Sequence, residues 1–310
     1  VTAISFGHDD GSPMRQRPLG AFDRFEDVRG QSNEAIVDRI RELDADIVVD
    51  LMGHTTRSRA AIFPHRPAPI QVNFLGFPGT TGIEAMDYMI VDPFIATDTL
   101  RRNSAERLVI LPHCNMCSDD KREIAPKTPP RSEEGLPEGA FVFCCFNQMR
   151  KLTPAVFDVW MRILSRVEGS VLWLSSSDAV AVANLRREAE TRGVQGDRLV
   201  FARRRPLIQE HLARIRLADL VLDTFPYGAH TTASDALWAG CPVLTKPGNS
   251  FASRVCGSLL STIGLPELIV PSWESYEAMA VRLAQNPDEL AAFKLRLAAN
   301  RTTSPLFDTQ

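Results

Sequence analysis

Residues 222–245 restrict the fold more than any other stretch of the chain. They read LDTFPYGAHTTASDALWAGCPVLT. An apolar run ends at Leu222. Pro226 and Gly228 then break the chain, and a helical pattern starts where His230, Thr231 and Thr232 arrive together. Gly240 and Pro242 stop that helix, and Val243 opens the next apolar run. Strand, helix and strand in such close order make a βαβ unit, which requires a parallel sheet. Hydroxyls at a helix start can cap it, and its free amides favour an anion. The pattern Thr-Thr-x-x-Asp also resembles a capping box that needs no ligand. His230 and the two flanking strands tip the reading toward a site, because open α/β sheets bind ligands where strand C-terminal ends face helix N-termini. A diphosphate docks on such a helix end. Asp235, three to four residues on, is placed to accept from ribose hydroxyls.

The same alternation runs through the rest of the chain. Residues 1–6 (VTAISF) read as a strand. Further strands are expected at 47–51, 70–75, 88–91 and 108–111, with helices over 33–43 and 57–63. A second series follows, with strands at 141–146, 171–174, 199–202, 220–222, 242–244 and 268–270. Amphipathic helices are expected over 157–167, 209–217, 253–263 and 276–283. Between the series, residues 118–139 (SDDKREIAPKTPPRSEEGLPEG) are rich in charge, proline and glycine and have no periodicity, as between domains. The rhythm implies an α/β fold of two Rossmann-like lobes with parallel sheets and a cleft between them. Residues 1–120 form a partial first lobe, 121–139 a linker and 140–310 a second lobe.

A chain of 310 residues with 44% hydrophobic and 24% charged content reads as globular and has length for two cores. A net charge of -3 gives no reason to expect nucleic acid or an anionic membrane as partner. The short run Arg203, Arg204 and Arg205 reads as a solvated loop. No apolar run approaches the ~20 residues that cross a bilayer, and no signal peptide opens the chain. The chain starts at Val1 rather than Met, so the natural N-terminus is expected upstream. Cys144 and Cys145 lie in an apolar run, where a reduced thiol behaves as a small hydrophobe. His113, Cys114 and Cys117 have the look of half a zinc site, but no second Cys/His pair with zinc spacing follows. No metal or cofactor is expected, and the cysteine pattern, which also includes Cys241 and Cys256, suits a reducing cytoplasm.

Four other clusters carry chemistry. Lys151 follows the first strand of the second series, just before Thr153 and Pro154 open a helix as cap and first residue. That puts its ammonium at the C-terminal mouth of the sheet, where it can neutralise a diphosphate as charge builds. Gln148 on the same loop can read a base edge or a ribose, or simply cap the loop. His211 and Arg214 share one helix face at i,i+3; His211 can stack on or hydrogen-bond to a nucleoside. In the first series, His54 follows a strand and the Gly53 turn, and Gly76, Gly79, Thr80, Thr81 and Gly82 make a loop that backbone can bring close to a ligand. This loop is neither a phosphate-binding P-loop nor a dinucleotide fingerprint.

These segments together resemble the catalytic region of the O-linked N-acetylglucosamine transferase family, glycosyltransferase family 41. The matching pieces are RPAPIQVNFLGFPGTTG and MDYMIVD, then FNQMRKLTP, VWMRILSRVEGSVLWL, LADLVLDTFPYGAHTTASDALWAGCPVLT, ASRV and the terminal SPLFDT. They run in order from about Asp9 to Thr309. The resemblance implies a GT-B fold, with the donor held mainly by the second lobe. It implies inverting, metal-independent transfer of N-acetylglucosamine from UDP-GlcNAc to Ser or Thr hydroxyls of proteins. Gln148, His211, Arg214, His230, Thr231, Thr232 and Asp235 would hold the nucleotide sugar, and Lys151 would stabilise the departing diphosphate. Gly79, Thr80 and Thr81 would line the acceptor or sugar loop. Asp38 aligns with a carboxylate discussed for the family, and with His54 it is a candidate base.

Three departures from the family pattern stand out. An earlier strand with its His-Pro loop and the tetratricopeptide repeats are not in this sequence, which therefore looks truncated within the first lobe. Animal members carry a lysine near the uracil where Ile208 stands here. Related members use GDP-fucose or UDP-glucose, so those donors are the alternatives, as is a catalytically incomplete nucleotide-binding module.

Overall fold

The structure, a computed structural model, describes residues 1–175 and 178–308. Thr309, which closes the SPLFDT segment, lies outside them. The apolar runs fold as parallel strands in two units. The first unit holds Val1–Val91 and Arg101–Val109, and the second holds Asp92–Leu100 and the chain from Ile110 onward.

In the first unit β1 (Thr2–Ser5) pairs in parallel with β2 (Arg24–Asp27), joined by helix α1 (Pro13–Ala21). Helix α2 (Asn33–Glu42) follows, capped by Ser32, whose hydroxyl accepts from the Ala35 amide. Strands β3 (Ile47–Asp50), β4 (Ile70–Asn73), β5 (Tyr88–Val91) and β6 (Arg107–Ile110) then stand side by side in that order. Ile36, Val37 and Ile40 lie at i, i+1 and i+4 on α2. They pack with Val28 and Ile62, and Ile4, Phe6 and Val48 close the cluster. A short helix, α3 (Asp98–Asn103), precedes β6.

The second unit is built on β7 (Val142–Cys145), β8 (Val171–Ser175), β9 (Leu199–Ala202), β10 (Leu220–Leu222) and β11 (Val243–Leu244). The spatial order is β11-β10-β7-β8-β9, with every recorded pairing parallel. Seven helices belong here among the described residues: α4 (Pro154–Arg166), α5 (Ala179–Glu190), α6 (Ile208–Ile215), α7 (Thr231–Ala239), α8 (Val255–Thr262), α9 (Trp273–Gln285) and α10 (Pro287–Asn300). The strands β7, β10 and β11 are buried along their whole length, as expected for a parallel sheet covered on both faces. Trp160 of α4 and Trp173 of β8 are among the largest fully buried side chains. The chain adds β8 and β9 on one side of β7, then crosses to its other side for β10 and β11. The loops leaving β7 and β10 therefore flank a topological switch point, where such sheets bind ligands.

The structure corrects several expectations. Residues 57–63 are not an α-helix; a 3-10 turn spans Ala60–His65, with Pro64 inside it and Arg66 left-handed at its end. Residues 268–270 form no strand: a 3-10 turn covers Pro266–Leu268, and a single bridge joins Thr245 to Ile269. Residues 92–100 and 110–120 belong to the second unit, not the first. The charged segment 121–139 is packed rather than a free linker. Glu134 is buried and accepts from Arg205 at 2.6 Å, with Arg214 at 3.5 Å, while the Trp238 indole donates to the Arg122 carbonyl. Among the described residues no helix is long and apolar enough to cross a membrane.

Candidate active site

The chain leaves β7 through Phe146 and Asn147 and enters a 3-10 turn at Met149–Lys151; Thr153 then caps α4, with Pro154 as its first residue. That short exit places Lys151 at the C-terminal edge of the sheet. Its Nζ donates to the Gly228 carbonyl at 2.8 Å and lies 4.2 Å from the centre of the Tyr227 ring. Burial lowers its pKa from the ordinary lysine value, against the pull of Asp223. Gln148 stands exposed at the start of the turn. Asn147 is buried and joins the two loops: its amide donates to the Thr224 hydroxyl at 2.8 Å, and its oxygen accepts from the Thr232 hydroxyl at 2.6 Å.

On the other side of the switch point, β10 ends at Asp223, and residues 224–230 turn into α7. Gly228 fits a tight place there. A Cβ at that position would lie 3.1 Å from Asp223 Oδ2 and 3.2 Å from the Ala252 carbonyl. The capping-box alternative does not hold: His230 occupies the cap position and no side chain caps α7. The Thr232 hydroxyl is turned to Asn147 instead. The amides of His230, Thr231 and Thr232 have no hydrogen-bond partner among the described residues, so a group of donors stands open at a helix N-terminus beside Lys151. His230 Nε2 donates to the Ala252 carbonyl at 3.0 Å, because that acceptor requires the proton on Nε2. Its ring stacks on Tyr227 at 5.0 Å, and burial lowers its pKa to about 4, so it is neutral at pH 7.

Helix α6 brings His211 to the same sheet edge. His211 Nδ1 accepts from Arg214 Nη2 at 2.9 Å, which leaves the proton on Nε2. Burial and the neighbouring guanidinium lower the His211 pKa to about 4. Its ring lies 5.5 Å from Phe146. Phe146, Asn147, His211 and Thr232 line one small crevice of about 10 Å³, together with Cys145 and Ala229. Arg214 is 5% exposed, bonds to the Arg203 carbonyl and sits 4.9 Å from the Phe146 ring centre. Its guanidinium is enclosed and donates to His211.

Asp235 departs from expectation. Its carboxylate is buried and bonded to Arg122, whose second nitrogen reaches Ser234 Oγ at 3.5 Å. The ribose acceptor read from the sequence is thus already engaged by a cation from the segment expected as linker.

In the first unit, the Asp50 carboxylate ends β3 and takes the amides of Met52 and Gly53 at 2.9 and 3.1 Å. His54 is held by its Nε2 to the Thr81 carbonyl at 2.7 Å and packs edge-on to Phe77. Gly76 permits the close approach of the 76–82 loop, since a Cβ there would lie 2.1 Å from the Leu51 carbonyl oxygen. Thr80 and Thr81 do not offer their hydroxyls outward. Both donate to the buried Glu106 carboxylate at 2.6 Å, while Gly79 accepts from Asn73 through its carbonyl. Asp38 is on the outer face of α2, paired with Arg41 at 3.4 Å and 70% exposed, and no hydrogen bond joins it to His54 among the described residues. The structure therefore gathers Lys151, His211, His230, Thr231 and Thr232, places His54 with Thr81, and leaves Asp38 apart. Asp223, Asn147, Arg122 and Glu106 were missed. Only the position of Asp223 directly after an apolar run signalled it in the sequence.

The sequence profile of Glycosyl transferase family 41 matches residues 1–128 and 126–310. A curated relative from Arabidopsis thaliana, named as the probable UDP-N-acetylglucosamine--peptide N-acetylglucosaminyltransferase SEC, is 41% identical over all of this chain and 32% of its own length. The Caenorhabditis elegans UDP-N-acetylglucosamine--peptide N-acetylglucosaminyltransferase is 27% identical, again over the whole chain and 37% of its own length. The chain thus spans about a third of the length of the curated relatives it matches. Among solved structures, a mutant of the Thermobaculum terrenum O-GlcNAc transferase superposes with a TM-score of 0.91 at 31% identity, covering 99% of this chain and 58% of that one. Anabaena HepE, solved in complex with UDP and glucose, gives 0.62 at 13% identity over 97% and 86% of the two chains, a likeness of fold alone. The parallel sheets are those of the GT-B fold, and the chain belongs to glycosyltransferase family 41.

Proposed function

We propose that this chain is the donor-binding and catalytic region of an inverting protein O-glycosyltransferase that moves N-acetylglucosamine from UDP-GlcNAc to Ser or Thr hydroxyls. The observation that carries the proposal is the open group of amides at His230, Thr231 and Thr232 beside the Lys151 ammonium, at the switch point of the second sheet. A nucleoside diphosphate there meets helix-end donors and a lysine together. As an acceptor hydroxyl attacks the anomeric carbon, the bond from that carbon to the diphosphate oxygen breaks. The charge that accumulates on UDP is met by Lys151 and the amides, which are already in place. The Lys151 ammonium and the partial positive charge of the helix-end amides stand in for the charge that a divalent ion would otherwise bring, so the proposed reaction is metal-independent. His211, with its proton on Nε2 and an aromatic neighbour in Phe146, is assigned to the nucleoside. His54, fixed through Nε2, keeps Nδ1 as a lone pair and is the proposed base of the first unit; Asp38 is not. UDP is favoured over GDP on the names of the relatives.

Calorimetric titration of the chain with UDP and with GDP, repeated on His230→Ala, tests this directly. UDP is expected to bind more tightly, and the variant to lose most of that affinity. Tighter binding of GDP would move the proposal to a fucosyl donor. A folded chain that binds neither nucleotide would sink the site assignment.

A further inference from the structure

We propose that Asp223 is a positioning residue for Lys151, fixing the loop that holds the lysine and setting the negative charge behind it. This rests on the reading above that Lys151 faces the donor diphosphate. Asp223 is 2% exposed at the end of β10. Its Oδ1 accepts the amides of Thr224 at 2.8 Å and Ala229 at 2.6 Å, so one atom closes the loop between them. Its Oδ2 accepts the Thr245 hydroxyl at 2.6 Å, and its backbone carbonyl accepts the Tyr276 hydroxyl at 3.0 Å. Within the closed loop, the Thr224 hydroxyl donates to the Tyr227 carbonyl at 2.8 Å. The two contacts of the Lys151 ammonium, the Tyr227 ring and the Gly228 carbonyl, are therefore both carried by the segment that Asp223 ties.

The charge runs the same way as the geometry. Burial pushes the Asp223 pKa up from the ordinary aspartate value, while the three hydrogen bonds to the carboxylate, with the buried Cys256 thiol beside them, favour its ionised form. The other groups facing Lys151 give it no countercharge. Arg150 repels it, burial raises the Cys145 thiol to about 12 and raises Tyr227, and His230 is neutral with a pKa of about 4. Asp223 is the carboxylate that opposes, from behind the loop, the loss of the Lys151 proton that burial favours.

The test is UDP affinity by calorimetry from pH 7 to 10 on the whole chain, for wild type, Asp223→Asn and Lys151→Ala. Diphosphate binding that uses the ammonium weakens as pH rises through the lysine pKa. Removing the Asp223 charge lowers that pKa further, so the loss begins at lower pH in Asp223→Asn. About tenfold weaker binding than wild type is expected at the alkaline end. In Lys151→Ala only the alkaline loss shared by all three proteins, from ionisation of the uracil itself, remains. Thr245→Val, which removes one of the three donors and keeps the carboxylate, is the milder variant should Asp223→Asn not fold. It is expected to weaken UDP several-fold by loosening the loop. An alkaline limb unmoved in folded Asp223→Asn, or in its absence unchanged UDP affinity in Thr245→Val, overturns the proposal. A limb as steep in Lys151→Ala as in wild type, or wild type that binds neither UDP nor GDP, overturns the donor-site reading itself and this inference with it.

Discussion

At the scale of single residues, the site depends on histidines kept neutral. His211 and His230 both have pKa values near 4, lowered first by burial. An unfolded histidine titrates near pH ~6.5. Between those values the unfolded chain takes up protons that the folded chain refuses, so the stability present above ~6.5 is lost as pH falls toward 4. Each ring is partly open to solvent, so the effect is on the order of 1 kcal/mol per histidine at pH 5. Urea denaturation at pH 7 and pH 5 should show a larger acid-side loss for wild type than for His211→Gln/His230→Gln. Equal losses would mean the rings are not held neutral. The motif residues were legible because each sits where a strand gives way to a helix, a local pattern. Arg122 was not. Its partner Asp235 lies 113 residues away, and nothing in a charged, proline-rich stretch says which arginine folds back.

At the scale of elements, the exits of β7 and β10 are held together by Asn147. It links to Thr232 across 85 residues and to Thr224 across 77. Asn147→Ala takes the acceptor from the Thr232 hydroxyl and one donor from the Thr224 hydroxyl, which keeps its bond to the Tyr227 carbonyl, and costs roughly 1–3 kcal/mol. It also frees the start of α7 from the Lys151 loop, so UDP affinity is expected to fall along with stability. Denaturation and calorimetry on the same preparation check both; an unchanged UDP affinity would uncouple the two loops. Elements with a buried stripe, such as α2 and α4, were legible from periodicity. Those without one were not. Helix α1 buries no residue and contains Pro18, and β2 reads RFED, with three charged residues among four. The 57–63 segment has apolar spacing but ends on Pro64, and it settles as a 3-10 turn.

At the scale of the whole chain, the alternation of strands and helices was enough to give the four-stranded and five-stranded parallel sheets, though not the separate pair β1–β2. The boundary between units was not legible, because proline and charge in 121–139 mimic a linker while Glu134 and Arg122 pack against the second sheet's helices. Every residue proposed to hold the nucleotide lies in the second unit: Lys151 after β7, His211 on α6, and His230 to Thr232 at the start of α7. Hydrogen exchange followed by mass spectrometry, with and without saturating UDP, turns that into a prediction. Ligand that binds the folded form suppresses the openings through which amides exchange, in proportion to its affinity. Slowed exchange is expected over residues 146–154, 208–215 and 223–235, strongest at the unpartnered amides of His230, Thr231 and Thr232. Strands β1 to β4 should exchange at unchanged rates, because nothing proposed to bind UDP lies on them. Protection concentrated there instead, around His54 and the 76–82 loop, would transfer the nucleotide to the first unit. The second sheet's switch point would then be an unused feature of the fold rather than its donor site.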